Sequence, residues 1–260
     1  EEVERLKQII TGYLLALQFF TALPIKKSFH MTNRSATIMY SAIPLIGLGI
    51  GGLLAGFLLL NDTYFELSPL FTAILLVVFH FIMTGGLHMD GVVDTGDAYF
   101  SYRDQKKRLE ILDDPRIGAF GAMTLVLFVL LKVGVLYELL LRGLPLLFVI
   151  IIPFIARQAV LLVFVTTNVS KETGIASYFK KTVNERMLIW STIVYFVTVV
   201  AIAFVYEQWV LLVLSAALLG FTAVYRAWAK RNFGGISGDL LGAIFEGAEL
   251  FLWFVLLFVL

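Results

Sequence analysis

The run Gly85-Gly86-Leu87-His88-Met89-Asp90-Gly91-Val92-Val93-Asp94-Thr95-Gly96-Asp97 spaces three carboxylates at i, i+4 and i+7. On a helix this puts Asp90, Asp94 and Asp97 on one face, one above another. Three like charges so stacked repel, and a divalent cation among them offsets that cost. All-oxygen donors suit Mg²⁺ or Mn²⁺, and Mg²⁺ usually takes one or two carboxylates and leaves room for substrate phosphates. Two ions bridging a phosphoryl group would use the same donors. The bland alternative is a solvated acidic loop that caps a helix. Acidic residues at membrane depth are rare and usually functional, which favours the metal reading. His88, two residues earlier, could be a general base, a ligand or a structural group at a helix start.

Two further stretches carry matching chemistry. In 101–117, Arg103, Lys106, Lys107 and Arg108 are candidates for phosphate contacts, although basic anchoring of a membrane face explains most of them equally well. Asp113-Asp114-Pro115-Arg116 is followed by Gly118 and Gly121. Arg116 could hold a phosphate bidentately, with backbone close to the ligand at a helix start; Asp113 or Asp114 could equally be that helix's N-cap. In Arg231-Asn232-Phe233-Gly234-Gly235-Ile236-Ser237-Gly238-Asp239, the glycines permit an anion-binding nest and Ser237 could cap the helix that follows. Asp239, Gly242, Glu246 and Glu249 then share a helical face. Glu246 lies about two turns in, where a charge needs a partner; Arg157 and Lys132 are the candidate counter-ions. Together these residues read as a second wall of one metal-phosphate site. The alternative is an ion pair that only fixes helix packing. His80 lies between Phe79 and Phe81 and is expected to pack against another helix.

The elements that must position these groups are membrane helices. Of 260 residues, 60% are hydrophobic and 15% charged, against roughly a quarter charged in soluble domains. Mean hydropathy is +0.90. These values exclude a soluble globular enzyme, a disordered chain and a basic-patch nucleic-acid binder. With 20 Lys+Arg against 19 Asp+Glu, overall charge calls for no polyanionic partner. Without Cys, disulfides and thiolate zinc sites are excluded. Seven apolar runs approach the roughly 20 residues needed to cross a bilayer: 38–60, 68–86, 118–141, 144–166, 187–206, 209–229 and 238–260. Residues 5–21 carry Leu6, Ile9, Ile10, Tyr13, Leu14 and Leu17 at helical spacing, an amphipathic interfacial helix. With residues 1–37 in the cytoplasm, 17 of the 20 basic residues fall on cytoplasmic segments and only Arg142 on the outer loops, which supports both span count and orientation. The longest loop, 85–117, is too short to fold alone. The expected architecture is all-α, a single integral membrane domain over 1–260 with its site at the cytoplasmic face.

The chain also resembles a known family. Gly85-Gly86-Leu87-His88-Met89-Asp90-Gly91 with Asp94 and Asp97, then Leu109-Glu110-Ile111-Leu112-Asp113-Asp114-Pro115-Arg116-Ile117-Gly118-Ala119-Phe120-Gly121, is similar to cobalamin synthase, the adenosylcobinamide-GDP ribazoletransferase family. The likeness extends from Leu17-Gln18-Phe19-Phe20-Thr21-Ala22-Leu23-Pro24 to Gly234-Gly235-Ile236-Ser237-Gly238-Asp239-Leu240-Leu241-Gly242-Ala243. Ala22 stands where the family often has Arg, and Ser237 where Thr is usual, which keeps the hydroxyl. The resemblance implies a Mg²⁺-dependent enzyme of the bacterial or archaeal inner membrane, late in coenzyme B12 assembly. It would join adenosylcobinamide-GDP to α-ribazole or its 5′-phosphate and release GMP. Under it, Asp90, Asp94, Asp97 and Asp239 hold Mg²⁺ and pyrophosphate, and His88 or a carboxylate such as Asp94 takes the hydroxyl proton. Lys106, Arg108, Asp113, Asp114, Arg116, Gly235, Ser237 and Glu246 then line the substrate. Homo-oligomers and docking of other pathway enzymes stay open. Two other classes compete. A CDP-alcohol-type phosphotransferase would need Ala-Arg after Asp90-Gly91, which is absent. An ion-coupled transporter through Glu246, Arg157 and Lys132 would place its acidic set at the midplane and show a repeat.

Overall fold

The computed structural model describes residues 2–101 and 103–260, and its regular structure is helical. In chain order the helices are α1 (Glu2–Phe20), α2 (Asn33–Ser41), α3 (Ile43–Leu60), α4 (Pro69–Thr84), α5 (Leu87–Ser101), α6 (Gln105–Ile111), α7 (Ala119–Leu141), α8 (Leu146–Thr166), α9 (Ile175–Thr182), α10 (Glu185–Val205), α11 (Val210–Phe233) and α12 (Gly238–Val259). Among the described residues six helices are long and apolar enough to cross a membrane: α3 with the π-helical turn Asn61–Phe65, α7, α8, α10, α11 and α12. α4, with 16 residues, reaches that length only together with α5, from which it is bent by 99°; the chain is a multi-pass membrane protein. α8 is the most enclosed, packed against α3, α10, α11 and α12.

Two expected spans are reshaped. The run 38–60 is divided, because α2 ends at Ser41 and α3 starts around Pro44, whose missing N–H suits a helix start. The run 68–86 ends early. Gly85 and Gly86 take positive φ of 64° and 74°, and the chain turns by 99° into α5. α5 then meets α12 near Asp239, Gly242 and Phe245, and α7 near Gly118, Gly121 and Thr124. It crosses near the N-terminal ends of α7 and α12 and, at 99° to α4, does not continue that helix's line. Gly91 makes this crossing close: a Cβ there would sit 2.4 Å from the Asp239 carbonyl oxygen.

α1 has two working faces. Gly12, Leu15, Ala16 and Phe20 are buried, while Leu6, Ile9, Ile10 and Tyr13 point outward. An outward apolar stripe on a helix packed beside α2 suits an interfacial position.

Inside the bundle, His80 of α4, Lys132 of α7, Arg157 of α8 and Glu246 and Glu249 of α12 form one buried ionic cluster, each at most 2% exposed. Lys132 Nζ lies 2.9 Å from Glu246 Oε2 and 3.1 Å from Glu249 Oε1. Arg157 Nη1 lies 3.1 Å from Glu249 Oε2, and His80 Nε2 3.1 Å from Glu246 Oε1. Two carboxylates thus meet two fixed cations, the balance that lets charge persist in an apolar interior. His80 does pack against a neighbouring helix, but through carboxylates and not through the phenylalanines beside it.

Candidate active site

Two cavities meet where α5 crosses the start of α12. The first, about 130 Å³, lies between α1, α2, α5, α8, α9 and α12 and includes Phe20, Tyr40, His88, Asp90, Asp239 and Phe245. The second, about 220 Å³, is more polar and includes Asp113, Ser170, Lys171, Ser237 and Asp239. Gly238 and Asp239 belong to both, so one carboxylate stands at the junction of an apolar slot and a polar pocket.

The polar wall is built by backbone pairing. Ile236 donates to the Asn168 carbonyl at 3.0 Å and Ser170 donates to the Ile236 carbonyl at 2.8 Å, a short parallel bridge between the loops before α9 and α12. A Cβ on Gly235 would lie 2.3 Å from the Asn168 carbonyl oxygen, so the missing side chain of Gly235 serves this bridge. Ser237 caps α12, accepting from Leu240 N at 3.2 Å, and its hydroxyl donates to Asp239 Oδ2 at 3.2 Å. Lys171 pairs with Asp113 across the pocket.

The carboxylates of α5 divide by role. Asp90 is exposed and shares the slot with Asp239. Asp94 is half-buried. Burial, and then the charges of Asp90, Asp239 and Asp97, push its carboxyl up to about 7. Among the described residues Asp90, Asp94 and Asp239 make no ion pair, so this concentration of negative charge has no internal counter-ion. Asp97 is placed differently. It is buried, and its Oδ1 accepts from Gly121 N at 3.0 Å at the start of α7. Asp113 or Asp114 was one alternative for that cap; a carboxylate from another helix supplies it, because Gly118 leaves space for the incoming oxygens.

The remaining expected site residues are partly redirected. Glu246 gives both oxygens to His80 and Lys132 inside the bundle and lines neither cavity of the site. Arg108 is buried, bonded to Asn232 Oδ1 at 2.6 Å and to the Tyr99 carbonyl at 3.3 Å, with its guanidinium 4.7 Å from the Tyr99 ring centroid. It ties α6 to α5 and α11. Arg116 forks onto Asp114, Nε to Oδ1 at 2.9 Å and Nη2 to Oδ2 at 2.7 Å, and holds that carboxyl down at about 2. Lys106 is exposed on α6 and lines neither cavity. His88 is buried, stacked on Phe245 with centroids 3.9 Å apart and planes 5° apart. Burial pulls its imidazole down to about 3, so it is a neutral hydrogen-bonding group at ordinary pH and a poor proton acceptor. The sequence reading missed Tyr40, Phe245, Ser170 and Lys171; nothing in local spacing marks an aromatic in one span as the neighbour of a carboxylate in another.

Among the described residues no three Asp, Glu or His converge tightly enough to form a closed metal cage. The donor set fits a hard cation held by one or two carboxylates and completed by ligand oxygens, and the uncompensated charge around Asp94 is what such a cation would relieve.

The model of the cobalamin-5-phosphate synthase family matches residues 12–257. The chain belongs to that family. The cobalamin-5-phosphate synthase relatives named adenosylcobinamide-GDP ribazoletransferase include one from Geobacillus kaustophilus, 36% identical over 253 residues that cover 96% of this chain and 97% of that protein. One from Halalkalibacterium halodurans is 36% identical over 95% of each chain, and one from Clostridium botulinum 31% identical over 97% of this chain and 99% of its own. No solved structure matches.

Proposed function

We propose that this member of the cobalamin-5-phosphate synthase family is an adenosylcobinamide-GDP ribazoletransferase that requires Mg²⁺. The observation that carries the proposal is the junction at Asp239. Carboxylates from two helices distant in sequence face one another without a counter-ion, between a polar pocket and an aromatic slot. Full-length similarity to relatives of that name supports it.

In this reading Asp90 and Asp239 would hold the cation against the diphosphate of the donor with the Asp94 charge close by, and Asp97 fixes α5 to α7 so that the set keeps its spacing. When bound, Mg²⁺ supplies neutralisation of phosphate charge. Lys171, Ser170 and the capped start of α12 face the polar pocket, where phosphate oxygens would lie. The ribazole hydroxyl oxygen bonds to the phosphorus bearing cobinamide, the bond from that phosphorus to GMP breaks, and the hydroxyl proton passes to a carboxylate of the set. Such a transfer depends on in-line placement and electrostatics more than on covalent catalysis. The concentration of basic residues on the site-bearing loops supports a cytoplasmic N-terminus and an inner-membrane location.

The test is Mg²⁺-dependent release of GMP from adenosylcobinamide-GDP, requiring α-ribazole, by purified protein. Asp90→Ala, Asp94→Ala and Asp239→Ala are expected to lose at least about a hundredfold in turnover while remaining folded. Near-normal turnover in all three ends the metal assignment.

A further inference from the structure

The apolar slot is built to take something particular. Its walls include Phe20, Val160, Leu241 and Phe245, and besides the carboxylates of Asp90 and Asp239 two further polar side chains enter it, Tyr40 and His88, which are 4% and 3% exposed. Neither the Tyr40 hydroxyl nor a His88 ring nitrogen has a hydrogen-bond partner among the described residues, and neither is sealed away from open space. Buried polar groups left unmatched are costly, so atoms that open onto a cavity without a partner point to a ligand that supplies one. The space is that of a small ring system. Its volume of about 130 Å³ corresponds to roughly ten water-sized positions, the scale of a bicyclic base. The stacked pair of His88 and Phe245, with Phe20 5.7 Å from Phe245 by centroid, offers aromatic surface.

Building on the transferase reading above, we propose that this slot binds the dimethylbenzimidazole base of ribazole, with the Tyr40 hydroxyl donating to its free ring nitrogen. Of the two bases in the reaction, guanine fits poorly. With Asp90 and Asp239 committed to the cation in that reading, Tyr40 and His88 are the polar side chains left for a base, and guanine's two acceptors and two donor groups outnumber them. Dimethylbenzimidazole presents one free acceptor nitrogen and otherwise C–H and methyl edges, which match the Tyr40 hydroxyl and the apolar walls of Phe20, Val160, Leu241 and Phe245. Asp90 and Asp239, in the same cavity, then stand beside the attached sugar, which carries the attacking hydroxyl. The guanine nucleotide lies on the polar-pocket side of Asp239.

The test measures equilibrium binding of α-ribazole and, separately, of adenosylcobinamide-GDP and GDP to the full-length protein in nanodiscs. Tyr40→Phe keeps the ring and removes the donor; the Kd for α-ribazole is expected to rise about three- to tenfold, with the Kd for the donor substrate unchanged. Leu87→Trp, at the exposed rim of the slot and outside the polar pocket, narrows the space and is expected to weaken α-ribazole at least about tenfold, with thermal unfolding recorded for both variants. Unchanged α-ribazole binding in both variants overturns the assignment. So does a loss confined to adenosylcobinamide-GDP or GDP, which puts guanine in the slot. Failure of the parent reading shows elsewhere, as wild-type protein that binds α-ribazole and releases no GMP.

Discussion

Gly91→Ala separates activity from stability. In the fold a Cβ at this position would lie 2.4 Å from the Asp239 carbonyl oxygen, 3.0 Å from Gly242 Cα and 3.1 Å from Ala243 N, all backbone atoms that cannot rotate away. Ordinary van der Waals contact begins at 3.4 Å, so α5 and α12 must part by about 1 Å. Overpacking of this kind costs about 1–3 kcal/mol, and the better helix propensity of alanine returns about 1 kcal/mol. The net loss of stability is therefore small, on the order of 1 kcal/mol. The catalytic loss is not, because the same shift moves Asp90 and Asp94 away from Asp239. A misplacement of about 1 Å can lower turnover on the order of a hundredfold. Gly52→Ala is the control: nothing lies within 4 Å of a Cβ there, and turnover should be unchanged. The assay pairs GMP release with thermal unfolding in the same detergent. Gly91→Ala with turnover within about threefold of wild type would refute the claim that this helix crossing sets the site.

Asp94→Asn should stabilise the metal-free protein while abolishing Mg²⁺-dependent turnover, since it removes a charge that nothing inside the fold compensates. The sign follows from the raised carboxyl: the folded protein holds that proton more tightly than the unfolded chain, so wild-type stability falls as pH rises from about 4 to about 7, and Asn should flatten this segment of a melting-temperature profile. A lower melting temperature for Asp94→Asn contradicts the uncompensated charge. Lys132→Met leaves two buried glutamates short of a cation and should cost about 3–5 kcal/mol by denaturant unfolding; a loss under about 1 kcal/mol would mean the cluster does not bind the helices together. Arg108→Lys loses the forked contacts to Asn232 and Tyr99 and should lower stability by about 1–3 kcal/mol with KM little changed. A raised KM at unchanged stability would instead return Arg108 to the phosphates. Chelation of Mg²⁺ should stop GMP release, and added Mg²⁺ restore it; turnover that survives chelation refutes the metal role.

Composition and charge determined most of the architecture before any contact was known. Apolar runs near the bilayer thickness can only be helices, since a backbone without water must satisfy itself within the segment; six of the seven runs hold helices long and apolar enough to cross, and the seventh, 68–86, holds α4, which reaches that length only with the bent α5. Spacing alone also marked Asp90, Asp94 and Asp239, and Ser237 as a cap. What it could not show was which face of each helix meets which neighbour. Asp97 has the same i, i+7 register as a ligand, yet the approach of Gly118 and Gly121 turns it into a cap for α7. Glu246 continues the face of Asp239, yet Lys132 and His80 hold it inside the bundle. Arg108 and Arg116 read alike as phosphate binders, but one is buried against rings and the other locked to Asp114. The aromatic slot exists only because α1, α2, α8 and α12 bring Phe20, Tyr40, Val160 and Phe245 together across more than two hundred residues of chain. Periodicity reports one helix at a time, whereas partners are chosen by close packing between helices, and that is a property of the assembled bundle.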